Sequence, residues 1–188
     1  TGTKKFDLRE VYYGLDCQML LYLFTLERNG GHLFSQGTAA GVEYLWADPA
    51  PENIIRPETD DAEPLQAQNY PLEGLLLDEP SIYHAMDTRG TGAFVPLSFS
   101  AKTGEPTAQS AKARLADREK FNRIRDHLDG MLTDMAKNLY SGEIDAAPLV
   151  PNAGKSPCLW CEYRTVCRHA DGEGERTPLK PDDPFGAE

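Results

Sequence analysis

The sequence lacks any apolar run close to the about 20 residues that a membrane-spanning helix needs. It also shows no basic-then-apolar leader of the kind that directs secretion, which argues against disulfide bonds between its four cysteines. From these two absences we expect a cytoplasmic protein that makes no membrane contact.

Basic residues are scarce, because 19 Lys and Arg stand against 30 Asp and Glu and give a net charge of −11. This excess of acids argues against a protein that coats nucleic acid non-specifically, since such binding depends on Lys and Arg. The charge is uneven, however. Residues 48–63 contain six acids and one base, whereas residues 102–125 contain seven bases and three acids. The second stretch fits a local basic surface and a solvated helix face equally well.

A first helix is predicted over Arg9–Arg28, with Asp7 as its N-cap and Asn29-Gly30-Gly31 as its stop. Because leucines and aromatic residues surround most of its circumference, we expect it to be buried on several sides. Its apolar residues recur at helical spacing: Val11, Leu15, Met19, Tyr22 and Leu26.

Short β-prone segments follow this helix. Residues 42–47 predict a strand, and residues 94–99 predict another, which Pro96 places at a sheet edge or a bulge. Residues 75–77 fit either a strand or a buried turn of helix. Between residues 42–47 and residues 75–77, the stretch 48–71 contains five prolines and predicts a long surface loop.

A second long helix is predicted from about residue 111 to residue 140, with Gly142 as its C-cap glycine. After Pro148 the sequence resembles loop, and residues 171–188 predict a mobile polar tail. Long helices with short strands indicate an α/β (α+β) fold. The stripe that predicts this helix consists of Phe121, Ile124, Leu128, Met131, Met135 and Leu139.

Three of the four cysteines lie within ten residues, as Cys158-x2-Cys161-x5-Cys167. Thiolates at this spacing can converge on one metal ion or cluster within a short loop. Trp160 and Tyr163, which lie among them, are placed to shield such a site from water. We therefore predict a metal site in preference to a disulfide or a chance cluster.

The spacing alone leaves the metal open between zinc and an iron–sulfur cluster. A structural zinc needs four protein ligands, and His169 is available as the fourth. A four-iron cluster needs four cysteines. The remaining cysteine, Cys17, lies in the first helix among apolar residues, where a small core residue is the better interpretation.

Gln18 and Tyr22 are four residues apart and therefore project from the same face of the first helix. Taken alone, this pair more often marks a polar helix face beside a water-filled groove than a functional motif.

Together these features resemble the C-terminal nuclease domain of the AddB-type subunit of bacterial ATP-dependent helicase–nucleases, within the RecB-like PD-(D/E)XK superfamily. The Gln/Tyr helix combined with the cysteine pattern is the specific part of the resemblance. The matching stretches are Lys5–Leu8, Tyr12–Leu15, Gln18–Leu23, Ala40–Val42, Gly74–Asp78, Ala85–Asp87, Phe94–Pro96, Ser141–Ile144 and Cys158–Cys167.

The resemblance implies a partial restriction-endonuclease-like core in which acidic residues hold Mg²⁺ and a lysine activates water for phosphodiester hydrolysis. In such families that Asp-x-Lys element immediately precedes the Gln-x-x-x-Tyr helix. Thr1-Gly2-Thr3 resembles the turn after it, so we expect the metal-binding acids and the lysine upstream of Thr1. Gln18 and Tyr22 are then motif residues that support the active site and contact DNA.

The resemblance also favours a [4Fe–4S] cluster, with Cys158, Cys161 and Cys167 as three ligands and an upstream cysteine as the fourth. Zinc bound with His169 stays the alternative. The implied organisation is a truncated nuclease core over residues 1–150, a cysteine-rich iron–sulfur segment over residues 151–170, and the mobile tail.

The implied function is that of a DNA exonuclease domain in double-strand break repair by homologous recombination. It would hydrolyse single-stranded DNA with Mg²⁺ at DNA ends, in a heterodimer with an AddA-type subunit, and this chain alone would be inactive. The alternatives are another RecB-like nuclease, such as a CRISPR adaptation nuclease, and a non-catalytic module that binds DNA ends through an iron–sulfur or zinc site.

Overall fold

The computed structural model describes residues 6–32, 37–45, 72–92, 94–150, 156–169, 173–177 and 183–186. Helices pack around a small mixed sheet, which confirms the predicted α/β class. The elements are α1 (Leu8–Tyr12), α2 (Gln18–Asn29) with a 3₁₀ turn (Gly30–His32), β1 (Gly41–Leu45), β2 (Leu72–Leu77), α3 (Pro80–Met86), α4 (Ala108–Arg114), β3 (Leu115–Ala116), α5 (Arg118–Ser141), a 3₁₀ turn (Pro157–Trp160) and α6 (Arg164–Cys167).

The single helix predicted over Arg9–Arg28 is wrong, because a turn at residues 13–17 separates α1 from α2. Gly14 has a φ of +83° there, and a side chain at this position would collide with the Sδ of Met131. The apolar pattern continues across the turn, so periodicity could not reveal it. The predicted N-cap is confirmed, since the Asp7 carboxylate accepts a hydrogen bond of 2.9 Å from the backbone N–H of Arg9.

The α2 helix packs into the core with one face only. Leu20 and Phe24 are buried, whereas Met19 and Tyr22 on the opposite side are exposed. The expectation of burial on several sides is therefore wrong for this structure. Cys17, at the N-terminus of α2, is buried as predicted.

The sheet has the order β1-β2-β3. β1 and β2 are antiparallel, and their first and last pairs are Gly41 with Leu76 and Leu45 with Leu72. β2 and β3 are parallel. The first predicted strand is confirmed over residues 42–45, and residues 75–77 are strand, not helix. The predicted loop over residues 48–71 lies outside the described residues.

The two sides of β2 contribute to separate cores. Leu75 and Leu77 pack with α2 and α5 in the main core. Leu76 packs in a second cluster that includes Val95 and Leu97. Residues 94–99, all described, form bends and irregular backbone instead of the predicted strand, apart from one bridge between Phe99 and Pro106. The burial of these residues alternates because Val95 and Leu97 pack against the sheet, although they are not part of a strand.

The predicted second helix is divided by β3 into α4 and α5, and this part of the prediction is wrong. Asp117 caps α5 by accepting a 2.7 Å hydrogen bond from the Lys120 backbone N–H. The predicted cap at Gly142 is confirmed by its φ of +76°. The first half of the apolar stripe is buried, but Leu139 near the end is 79% exposed. In the part of the chain that the structure describes, none of the helices combines the length and the apolar character that a membrane span requires.

Two described parts of the predicted mobile tail pack on the domain. Arg176 forms a bridge with Leu149, and Phe185 lies in the main core with 3% of its surface exposed. These contacts involve two short parts of the tail, and the mobility expected for residues 171–188 stays a prediction.

Candidate functional site

Gln18 and Tyr22 are brought together at the start of α2. The Gln18 side-chain amide Nε2 donates a hydrogen bond of 2.9 Å to the Tyr22 hydroxyl. Both side chains are exposed, and Tyr22 exposes 54% of its surface. Because each side chain holds the other in place, the helix presents one oriented polar pair to solvent.

Apolar side chains are exposed beside this pair. Leu15, in the turn before α2, exposes 42% of its surface, and Met19 and Leu26 of α2 expose 37% and 51%. We call the surface formed by these three residues with Gln18 and Tyr22 the α2 outer face. An exposed aromatic ring with hydrogen-bonding and apolar neighbours is the type of surface on which single-stranded nucleic acid stacks its bases.

The three clustered cysteines lie on two consecutive turns. Cys158 lies in the 3₁₀ turn, Cys161 follows it, and Cys167 is the last residue of α6. The Cys161 backbone N–H donates to the carbonyl of Cys158 at 3.4 Å. All three are free thiols, half-buried at Cys158 and exposed at the others. Trp160 and Tyr163, predicted to shield a site here, are 88% and 73% exposed.

The donor chemistry of the cysteine segment fits a soft metal, although the side chains do not converge. Within the described ranges, no three His, Cys, Asp or Glu side chains are grouped closely enough to hold a metal ion. Thiols have no attraction for one another, and coordination itself is what holds such ligands together. The segment therefore offers accessible ligands of the right type and not a preformed cage.

His169 has one feature of a ligand. Its ring Nε2 is buried and has no hydrogen-bond partner among the described residues. A buried polar atom without a partner is costly, and a bound metal ion is one group that satisfies it. This observation is consistent with the zinc alternative.

The basic stretch over residues 102–125 does not form a free basic surface. Five of its seven bases make ion pairs with acids elsewhere in the fold or along α5. The half-buried Arg114 pairs with Glu73 of β2, which connects α4 to the sheet. These cations are therefore used mainly to join elements. The pairs are Arg114–Glu73, Arg118–Glu79, Lys120–Asp183, Arg123–Glu119 and Arg125–Glu27.

Asp87 is a buried carboxylate for which the sequence suggested no role. It is 1% exposed and accepts hydrogen bonds from the backbone N–H of Gly92 at 2.7 Å, the Thr91 hydroxyl at 3.2 Å and the Arg89 backbone N–H at 3.3 Å. Asp87 therefore organises the turn that follows α3. The glycines at positions 90 and 92 were the only sequence signal of this turn.

Glu43 is a second acid that no sequence pattern singled out. It lies on β1 opposite Gly74, and its Oε1 is buried without a hydrogen-bond partner among the described residues. Burial raises the pKa of this carboxyl above its usual value of 4.5.

Glu43→Gln is expected to stabilise the fold at pH 7. Because the pKa of Glu43 is higher in the folded chain than in the unfolded chain, its charge costs stability increasingly as the pH rises above about 4.5. The glutamine has the same shape without the charge, so its advantage should grow from pH 4 to pH 7 in urea unfolding. Glu119→Gln, at a side chain that is 80% exposed, is the control with little expected effect. A pH-independent difference would contradict the prediction.

Comparison with known proteins identifies the relatives of this chain. Residues 1–168 match the model of the PD-(D/E)XK nuclease superfamily. Proteins named as subunits of an ATP-dependent helicase/deoxyribonuclease, of the AddB type, are similar: those of Clostridium botulinum (strain Loch Maree / Type A3), Exiguobacterium sibiricum and Clostridium kluyveri are 28%, 29% and 30% identical over 172, 175 and 173 residues.

Each of these alignments covers 89% of this chain, but the chain spans only about 15% of the length of these relatives. The resemblance inferred from the Gln/Tyr helix and the cysteines is thus confirmed at the level of the family. The mixed sheet and its packed helices are consistent with a restriction-endonuclease-like fold. The chain belongs to the PD-(D/E)XK nuclease superfamily.

Proposed function

We propose that this chain is part of the nuclease domain of an ATP-dependent helicase–nuclease that degrades single-stranded DNA during recombinational repair of double-strand breaks. The observation that carries the proposal is the hydrogen-bonded Gln18–Tyr22 pair, exposed on α2 in a chain of this nuclease superfamily. The similar proteins are named helicase/deoxyribonuclease subunits, which supports the same activity here.

The proposed role of the α2 outer face is to position the DNA strand. Tyr22 offers a ring on which a base can stack, and the amide of Gln18 offers hydrogen bonds to a base or a phosphate. Their mutual hydrogen bond reduces the freedom that binding must remove. Most of the bases over residues 102–125 are ion-paired, and the net charge of the chain is −11. Positive charge is therefore expected to contribute less to DNA binding than stacking and hydrogen bonding do.

Two metal groups belong to the proposal. Mg²⁺ held by carboxylates would supply activation of a water molecule and stabilisation of the charge that develops on the phosphate. Its ligands and the catalytic lysine are assigned to sequence that precedes Thr1. Cys158, Cys161 and Cys167 would hold a [4Fe–4S] cluster with a fourth cysteine from the same upstream sequence, or zinc with His169. The proposed setting is the cytoplasm, with an AddA-type subunit as partner and DNA ends as substrate.

Tyr22→Phe in the full-length helicase–nuclease is expected to lower the rate of single-stranded DNA degradation about tenfold. Losing the hydroxyl removes one hydrogen bond and frees the Gln18 amide, a change worth about 1.4 kcal/mol when it acts in the transition state. Gln18→Ala should act in the same direction. The measurement is Mg²⁺-dependent release of nucleotides from labelled DNA, with ATP hydrolysis recorded in parallel.

The matched control is Lys137→Met, which breaks an exposed ion pair with Asp134 on α5. It is expected to leave nuclease activity unchanged. Unaltered activity in both α2 variants would refute the assigned role of the pair. Robust Mg²⁺-dependent cleavage by the purified chain of residues 1–188 would refute the assignment of the catalytic groups to upstream sequence.

A further inference from the structure

Residues 183–186 occupy a small aromatic site between α1 and α5. The ring of Phe185 lies 5.7 Å from the ring of Tyr12 and 5.4 Å from that of His127, both edge-on. Tyr12 and His127 stack on each other with ring centroids 4.6 Å apart, and the His127 Nε2 lies 2.8 Å from the Tyr12 carbonyl oxygen. Tyr12 and His127, which line the site, therefore contact each other without the help of Phe185.

Two cations of α5 hold the polar groups of the same segment. The Lys120 ammonium lies 2.7 Å from the Asp183 carboxylate, and the Arg123 Nε donates a hydrogen bond of 2.9 Å to the Phe185 carbonyl. The Lys120 side chain is only 11% exposed, whereas that of Asp183 is 39% exposed. A cation that is buried to this extent is costly without an anion, so the site requires an acidic occupant.

The occupant is a self-contained turn. The Asp183 carboxylate accepts a hydrogen bond of 3.2 Å from the Phe185 N–H, and the Asp183 carbonyl accepts one of 3.2 Å from the Gly186 N–H. Pro184 lies at the second position of this turn, where its fixed φ is favourable. The turn is thus supported by two hydrogen bonds that lie within residues 183–186.

We propose that this site, which we call the Phe185 site, is a recognition site for acidic peptides of the form Asp-Pro-Phe, and that residues 183–186 are its internal, exchangeable occupant. The external occupant is the acidic tail of a partner protein that supplies a carboxylate and a phenylalanine two residues later. The peptide must supply a ring, a carboxylate and a carbonyl. Tyr12 and His127 contact the ring, Lys120 pairs with the carboxylate, and Arg123 donates a hydrogen bond to the carbonyl. The proposal does not depend on the nuclease function.

An external peptide must compete with residues 183–186 for the Phe185 site. A tethered segment has an effective concentration of about millimolar, so an external peptide must exceed that concentration or bind with further contacts. Weakening the internal occupant should therefore raise the apparent affinity for an external one. A purely structural contact predicts no such gain.

The test uses the full chain and a fluorescein-labelled peptide Asp-Asp-Pro-Phe-Gly, followed by fluorescence anisotropy. Phe185→Ala removes the internal ring and is expected to bind the peptide at least tenfold more tightly than the unmodified chain. Replacing the peptide phenylalanine with alanine should abolish binding. Replacing its second aspartate with lysine should weaken binding at least tenfold, and Lys120→Glu combined with Phe185→Ala should restore binding of that lysine peptide.

Asp183→Ala provides a test that does not open the core, because this side chain is partly exposed. It should raise peptide affinity several-fold while the thermal unfolding curve shows a folded chain. Asp134→Ala, at an exposed ion pair on α5, should leave affinity unchanged. Two results would overturn the proposal: no binding at millimolar peptide by folded Asp183→Ala, or binding that ignores the aspartate and the phenylalanine of the peptide.

Discussion

Under the proposed cluster assignment, the full-length protein with Cys161→Ser is expected to be purified with essentially no iron. Cys158, Cys161 and Cys167 would supply three of the four thiolates of the proposed cluster, and serine is a poor ligand for iron–sulfur clusters. The loose arrangement of the three thiols makes the effect large, because the described residues offer no preformed cage that would still hold the metal. Iron, sulfide and zinc analysis after anaerobic purification measures it.

Cys17→Ala is the matched control for the cysteine experiment. Cys17 is buried at the start of α2, and its thiol donates to the backbone carbonyl of Leu15, so its replacement should leave the iron content unchanged. Retention of iron by Cys161→Ser would rule out the assigned ligand set. Zinc that is lost in both Cys161→Ser and His169→Ala would instead establish the zinc alternative, which the buried Nε2 of His169 favours.

Asp87→Ala is expected to lower the free energy of unfolding by about 2–4 kcal/mol. The buried carboxylate accepts hydrogen bonds from Gly92, Thr91 and Arg89. Its removal would leave these donors without their partner and leave space in the turn after α3. Urea unfolding followed by circular dichroism measures the change through the shift of the midpoint.

Asp87→Asn should cost less, because the amide keeps one oxygen that can accept a hydrogen bond from these N–H donors, while its NH₂ group replaces the second acceptor. Asp145→Ala, at an exposed position, is the control with little expected change. Equal stability of Asp87→Ala and the unmodified chain would show that the turn does not depend on this carboxylate.

Local signals predicted part of the fold, and they singled out Gln18 and Tyr22, which are hydrogen-bonded to each other; the roles of these residues and of the cysteines stay predictions. The Asp7 cap, the Gly142 cap and the β-prone segment at residue 42 depend on nearby residues, and the structure confirms them. The helix breaks were missed because apolar periodicity continues through residues 13–17 and through β3. Pattern alone cannot distinguish a turn within an apolar stripe from the helix around it.

The roles of buried polar residues were beyond the sequence for a different reason. Asp87 acts through donors that only the folded turn brings to it, and the environment of Glu43 depends on its position in the paired β1 strand. Phe185 lies in a polar tail and reaches the core through contacts with residues far away in the chain. Tertiary contacts of this kind leave no periodic trace.

The pairing of Leu45 with Leu72 has a consequence for how this domain can change in length. These residues face each other at the ends of β1 and β2, so the end of β1 and the start of β2 lie side by side. The entropy of closing a connection between such ends grows slowly, by about 0.6 kcal/mol for each doubling of its length. This junction is therefore the place where insertions, deletions or a grafted domain would disturb the strand register least.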